Sequence, residues 1–232
     1  MNNRPNVTIL LAEARGKTQS GGLDSFHSLN FGNYRMEGRE PFGEVFVFNE
    51  DFLAPEKGTE ISVSSHIEIF LIPIAGGLEM EFNNGGDLRY ISAGEALHIV
   101  ALPGNRIKLT NPYSSRQVCF IQIWLSSKTG GLSTFSYMQT GFDINDKNRF
   151  KPILTSNSGN TTVRLTKMEL RQKRHYTPHH SDIFVFTVEG AFDFHDRLIQ
   201  HKEGLILRQV SDELEFEALS QDAILLMIET RT

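Results

Sequence analysis

Histidine is the side chain in this sequence with the most chemistry to offer, and five of the eight histidines, His175, His179, His180, His195 and His201, crowd into one stretch. Imidazoles and carboxylates that converge from several elements could hold a metal ion or move a proton. Adjacent residues on a strand face opposite sides, so His179 and His180 cannot readily share one ion, and a solvated loop explains them better. Cys119 is the only cysteine, which excludes an intramolecular disulfide and a thiolate-rich zinc site. It lies in Gln-Val-Cys-Phe-Ile-Gln-Ile-Trp-Leu (117–125), where a small buried apolar role is expected. Neither a Ser-His-Asp order, nor a Gly-x-Ser-x-Gly elbow, nor a phosphate-cradling glycine loop is present, so hydrolase and nucleotide readings have no support.

Whatever these residues do, strands must position them. Short apolar or alternating runs punctuated by Gly, Asn, Asp and Pro recur at close spacing, and no long stretch keeps a helical period. The pattern predicts strands over Gly43–Asn49, Ile61–Ile74, Leu78–Phe82, Ala96–Val100, Arg106–Thr110, Gln117–Leu125, Val163–Leu170, Ile183–Val188, Leu205–Val210, Leu214–Glu217 and Ala223–Glu229. Asn83-Asn84-Gly85-Gly86-Asp87 is a hairpin signal, because Asn and Gly accept positive φ.

A weak internal repeat orders the strands. His66-Ile67-Glu68-Ile69-Phe70, Gly76 and Gly94 answer to His180-Ser181-Asp182-Ile183-Phe184, Gly190 and Gly204. A duplicated module that closes its sheet removes exposed strand edges, and two such barrels of about 100 residues fit the length of 232. The domains expected are 1–127, a linker region over 128–160 that is rich in Gly, Asn and Ser, and 161–232.

Composition sets the outer limits. With 39% hydrophobic and 22% charged residues the chain can build a core. A net charge of −5, with 23 basic residues dispersed along the chain, argues against nucleic acid as a direct ligand. No run approaches the roughly 20 apolar residues of a membrane span. The first residues carry no secretory pattern, so a cytoplasmic protein is expected.

Gly-Gly-Leu-Asp-Ser-Phe-His-Ser-Leu-Asn-Phe-Gly-Asn-Tyr-Arg (21–35) resembles the opening signature of the pirins, a two-barrel cupin family that includes bacterial quercetin dioxygenase-like proteins. Val-Phe-Asn-Glu-Asp-Phe-Leu-Ala-Pro-Glu-Lys-Gly (47–58), Ile-Ser-Ala-Gly (91–94) and Gln-Ile-Trp-Leu (122–125) follow in the family's order. The resemblance implies an all-β bicupin of two tandem jelly-roll barrels. It also implies a packing role for His27, between the amino-terminal segment and the barrel.

The resemblance breaks at the chemistry. Metal-bearing pirins place His-x-His after the Ala-Pro-x-x-Gly segment and His-x-Glu after the Ser-Ala-Gly segment. Aligned without gaps, these four positions are Ser62, Ser64, Ile99 and Ala101 here, and their second-copy equivalents are Tyr176, Pro178, Gln209 and Ser211. Serine is a poor neutral ligand, and Ile and Ala have no donor atom. Without a metal, dioxygen chemistry on a flavonol loses its electrophile.

On a regular strand His66 and Glu68 would share the face of Ser62 and Ser64, while His98 would point the other way unless the register slips. The expectation is therefore a non-catalytic bicupin without a metal cofactor. Its degenerate pocket would be formed by Ser62, Ser64, His66, Glu68, His98, Ile99 and Ala101, with a small molecule in the N-terminal barrel and a protein as the expected partners. The alternative is a metal-dependent quercetin 2,3-dioxygenase-like oxidoreductase using a rearranged set of His66, Glu68 and His98. A third reading is an interaction protein without a pocket, its first barrel filled by side chains such as Phe70 and Met80.

Overall fold

The computed structural model describes residues 6–83, 85–127 and 134–231, and every regular element among them is a strand. The chain opens with β1 (Asn6–Leu10). Next come β2 (Gly16–Ser20), β3 (Leu23–His27), β4 (Val45–Leu53), β5 (Gly58–Ser62), β6 (Ile67–Ala75), β7 (Gly77–Phe82), β8 (Leu88–Ser92), β9 (Glu95–Ala101), β10 (Arg106–Thr110), β11 (Val118–Ser126) and β12 (Ser136–Gly141). After these run β13 (Lys151–Thr155), β14 (Thr161–Met168), β15 (Lys173–Tyr176), β16 (Asp182–Glu189), β17 (Phe192–Phe194), β18 (Leu198–Ile199), β19 (Gly204–Arg208), β20 (Leu214–Ala218) and β21 (Ala223–Thr230). Among the described residues no helix is long and apolar enough to cross a membrane.

Two compact units result. The first barrel, Gly16–Pro41 with Val45–Phe142, combines a seven-stranded sheet ordered β12-β9-β6-β11-β4-β3-β2 with a four-stranded sheet ordered β5-β10-β7-β8. The second, Met1–Arg15 with Phe42–Glu44 and Asp143–Thr232, combines β1-β19-β16-β21-β14-β13 with β15-β20-β17-β18. Alternation builds each core, because side chains change face at every residue along a strand. In β7, Leu78, Met80 and Phe82 turn inward to meet Ile107 and Leu109 of β10, and all five are 2% exposed or less. Each such side chain contributes about 1.5–3 kcal/mol by leaving water. The second barrel repeats the device with Met168, Val185, Leu207, Phe216 and Leu225.

The expected domain limits shift. Residues 6–10 pair with β19 from Asn6↔Arg208 to Leu10↔Gly204, so the chain's start belongs to the second barrel. The expected linker carries β12, which pairs with β9, and β13, which pairs with β14; residues 128–133 of it lie outside the described residues. Both strands escape sequence detection for a physical reason: β12 is almost wholly solvent-facing, and β13 is short and carries a proline.

The hairpin signal at 83–87 forms the β7–β8 turn, with Asn83 at φ 54° and Gly85 at φ 107°; Asn84 lies outside the described residues. The repeat also holds, with one change of register. Phe70 pairs with His98 and Phe184 with Ile206, and the positive φ of Gly94 is matched by Lys202. Gly94 therefore answers to Lys202, not to Gly204. Glu95 and Glu203 close the two turns alike, accepting the backbone N–H of Ser92 and Gln200 at 2.9 and 2.8 Å. That backbone bond is the main reason the Glu95 carboxyl lies below its ordinary pKa.

Candidate functional site

The predicted strand Ile61–Ile74 is broken. β5 stops at Ser62 because the Val63 N–H donates to the Asn105 carbonyl (3.0 Å) and the Val63 carbonyl accepts from Gly104 (2.8 Å), and β6 begins only at Ile67. The break passes the chain from the four-stranded sheet to the seven-stranded one while the alternation of faces runs on. Ile61 and Val63 point into the barrel core, whereas Ser62 and Ser64 are exposed. Ser62 donates to Glu60, whose carboxyl is held below its ordinary pKa chiefly by the hydrogen bond from Arg106.

The pairing of β6 with β9 places the rest. Ile69 stands opposite Ile99 and Ile67 opposite Ala101, and directly opposed residues share a face. All four belong to the interior cluster, with Ile99 and Ala101 fully buried. Glu68 and His98 occupy the other face of the same sheet. Each is 5% exposed, and His98 Nε2 lies 2.6 Å from Glu68 Oε2 while the Phe70 ring meets the imidazole edge-on at 4.9 Å. Glu68 thus lies, like Ser62 and Ser64, on the side away from the interior, but on the seven-stranded sheet, whereas Ser62 ends β5 of the four-stranded one. Met80 fills the interior as a pocketless barrel would have it, but Phe70 does not.

Ser64 and His66 meet in a cleft at the lip of the barrel. With Phe46, Ser65, Pro103 and Ser126 they line a cavity of about 570 Å³. Its walls are mostly hydroxyl and apolar, and His66 supplies the one imidazole. Of the seven expected pocket residues, the structure brings Ser64 and His66 together here, bonds Glu68 to His98 elsewhere, buries Ile99 and Ala101 in the core and leaves Ser62 outside.

Sequence reasoning missed a polar stripe on the inward face of the same barrel. His27, fully buried, places Nδ1 2.9 Å from the Asn49 side-chain oxygen and Nε2 2.8 Å from the Thr18 hydroxyl. The amide oxygen can only accept, so Nδ1 carries a proton and donates to Asn49. Gln122 donates to buried Asp51, and Trp124 donates to Gln122 at 2.8 Å. Phe31 lies against both the His27 ring (5.0 Å) and the Trp124 ring (5.9 Å). His27 thus ties β2, β3 and β4 together, the packing role expected of it. The run Asn49-Glu50-Asp51 inside an otherwise apolar β4 was the available signal.

In the second barrel His175 is exposed, 3.3 Å from Glu213 and 3.8 Å from Glu215, and His201 is exposed beside Glu189. The corrected register makes Leu207 and Gln209 the counterparts of Ile99 and Ala101, in place of Gln209 and Ser211. Leu207 is a core residue. Tyr176 ends β15 as Ser62 ends β5. Among the described residues, no three His, Cys, Asp or Glu side chains gather closely enough to hold an ion.

No protein-family model matches the chain. The quercetin 2,3-dioxygenase of Escherichia coli (strain K12) is 30% identical over 137 residues, which is 59% of this chain and 58% of that protein. The match thus spans a little over half the length of that relative. Among solved structures, the bacterial pirin YhhW of Escherichia coli in complex with nickel(II) aligns with a TM-score of 0.83 at 19% identity, covering 98% of this chain and 100% of that one. A quercetin 2,3-dioxygenase of Acinetobacter baumannii aligns at 0.75 and 11% identity, covering 99% and 80%. At these identities the likeness is one of fold, and the fold shared is the all-β pair of cupin barrels.

Proposed function

We propose that this pair of cupin barrels is a non-catalytic protein of the pirin type that binds a small molecule at the lip of its first barrel. One observation carries the reading: the side chains that face the interior where the family sets its ligands are apolar. Ile61, Val63, Ile99 and Ala101, with Ile107 and Leu109 beside them, are 6% exposed or less and pack on one another. A transition-metal ion needs three or four nitrogen, oxygen or sulfur donors at about 2.0–2.3 Å, and these residues offer none. The residues present do not fit the metal that the family implies.

The rearranged set fares no better. Glu68 and His98 are bonded to each other on the face away from the interior, and His66 is exposed at the lip, so the three do not converge. Displacing metal chemistry leaves binding as the function, and the 570 Å³ cleft of Ser64 and His66 has the size of a small-molecule site. Its hydroxyls and imidazole offer orientation, and Phe46 and Pro103 offer apolar contact. A cytoplasmic setting and a protein partner belong to the same proposal; the acidic balance argues against nucleic acid.

Oxygen uptake with quercetin tests the reading. Protein incubated with nickel, iron, copper or manganese is expected to consume quercetin no faster than the free metal. Metal-dependent turnover that His66→Ala or His98→Ala abolishes would instead establish the quercetinase reading.

A further inference from the structure

The inward rows of the second barrel hold a charged constellation that no fold requirement explains. On β14, Arg164 and Thr166 pair with the core residues Met227 and Leu225 and so turn inward, and Glu229 continues the inward row of β21. Arg164 is 13% exposed and Glu229 1%. Glu229 is saturated: its Oε1 accepts the backbone N–H groups of His179 and His180, and its Oε2 accepts the Tyr176 hydroxyl (2.7 Å) and Arg164 Nη2 (3.3 Å). Arg164 Nε donates to the Tyr176 oxygen at 2.8 Å, which holds the guanidinium in one orientation. Its Nη1 makes no bond among the described residues.

The first barrel shows what a closed version looks like. There the register puts Asn49 and Asp51 where Arg164 and Thr166 stand; His27, backed by Thr18, bonds Asn49, and Gln122 donates to Asp51. Across from Arg164, by contrast, stands Pro152 of β13, which has no polar side chain to give. The hydroxyls of Thr166 and Thr187, 2% and 0% exposed on the same inward rows, also have no hydrogen-bond partner among the described residues. Beside the guanidinium runs an aromatic wall. Tyr176 meets Phe150 edge-on at 5.5 Å, Phe150 meets Phe216 at 4.9 Å, and Phe216 stacks on Phe194 at 5.6 Å. Tyr176 and Phe150 are only partly buried.

We infer that this end of the second barrel is a binding site for a small aromatic carboxylate, its ring against Tyr176 and Phe150 and its carboxylate on the Arg164 fork. Arginine suits the task because its planar donors meet a carboxylate in a fixed direction, and its charge survives partial burial. Tyr176 and Glu229 take the Nε and Nη2 donors on one edge of the guanidinium, so the edge that carries Nη1 is the part left for a ligand carboxylate. The inference is independent of the cleft at Ser64 and His66.

Titrating the full ¹⁵N-labelled chain with sodium benzoate, and following the backbone amides by NMR, tests it on the unaltered protein. Saturable shifts are expected at Arg164, Tyr176, His179 and His180, with benzyl alcohol and benzylamine at least tenfold weaker. Arg164→Lys, which keeps the charge and loses the fork, and Tyr176→Phe are each expected to weaken benzoate about tenfold, and His66→Ala to leave it unchanged. Absence of saturation, shifts confined to other residues, equal binding of benzyl alcohol, or full affinity in a folded Arg164→Lys variant would overturn the inference. Should Arg164→Lys fail to fold, the map on the unaltered protein decides.

Discussion

Glu68 and His98 are the two most chemically capable side chains near the first barrel, and the structure gives each to the other. Their bond is buried, so removing one partner strands the other away from water. His98→Ala is therefore expected to lower stability by roughly 1–3 kcal/mol in urea unfolding, the cost of a buried hydrogen bond left unmade. The double variant Glu68→Leu/His98→Leu should lose clearly less than the sum of the two single variants; simple additivity would mean the pair is not coupled. Alternation along β9 was enough to tell that His98 faces away from Ile99, because one residue's shift reverses the face. The fate of Ser62 and Ser64 was not legible, since a tertiary bond from Val63 to the β9–β10 turn breaks the strand that periodicity continues.

At the scale of elements, the two turn glycines of the repeat share one conformation, φ 80° at Gly76 and φ 79° at Gly190. A Cβ at Gly190 would lie 2.1 Å from the Ser220 hydroxyl and 3.0 Å from Ala223 Cβ, and that hydroxyl also takes the Ala191 N–H. Gly190→Ala is expected to cost about 1–3 kcal/mol in thermal or urea unfolding, from φ strain and the clash together. The junction of β15 and β16 carries a pH signature. Burial, and then the hydrogen bond to Glu229, push the Tyr176 phenol up to about 12. Its folded value thus exceeds the ordinary value of about 10. The neutral phenol's contribution to stability is complete below about pH 10 and is lost as pH rises through about 12. Ultraviolet titration should show Tyr176 among the last of the five tyrosines to ionise, and Glu229→Gln should bring it down. An unshifted late phase in that variant would refute the assignment. Strands that alternate with a buried face, such as Arg106–Thr110, were legible to the residue. Very short ones such as β17 and β18 were not, because two or three residues hold no period to detect.

For the whole molecule, the all-β class followed from runs too short and too frequently interrupted to be helices, and the repeat gave two barrels. The division between them was less accessible. β1 crosses from the start of the chain to pair with β19 in the second barrel, a contact that no local pattern announces. On the proposed reading, this bicupin has exchanged donors for hydrocarbon at Ile61, Val63, Ile99 and Ala101 inside the first barrel. Metal content of the untagged protein, expressed with nickel, iron, copper and manganese supplied and measured by mass spectrometry, tests that exchange most directly. Far less than one tenth of an equivalent of any transition metal per chain is the predicted result; near-stoichiometric metal that disappears in His66→Ala or His98→Ala would contradict it.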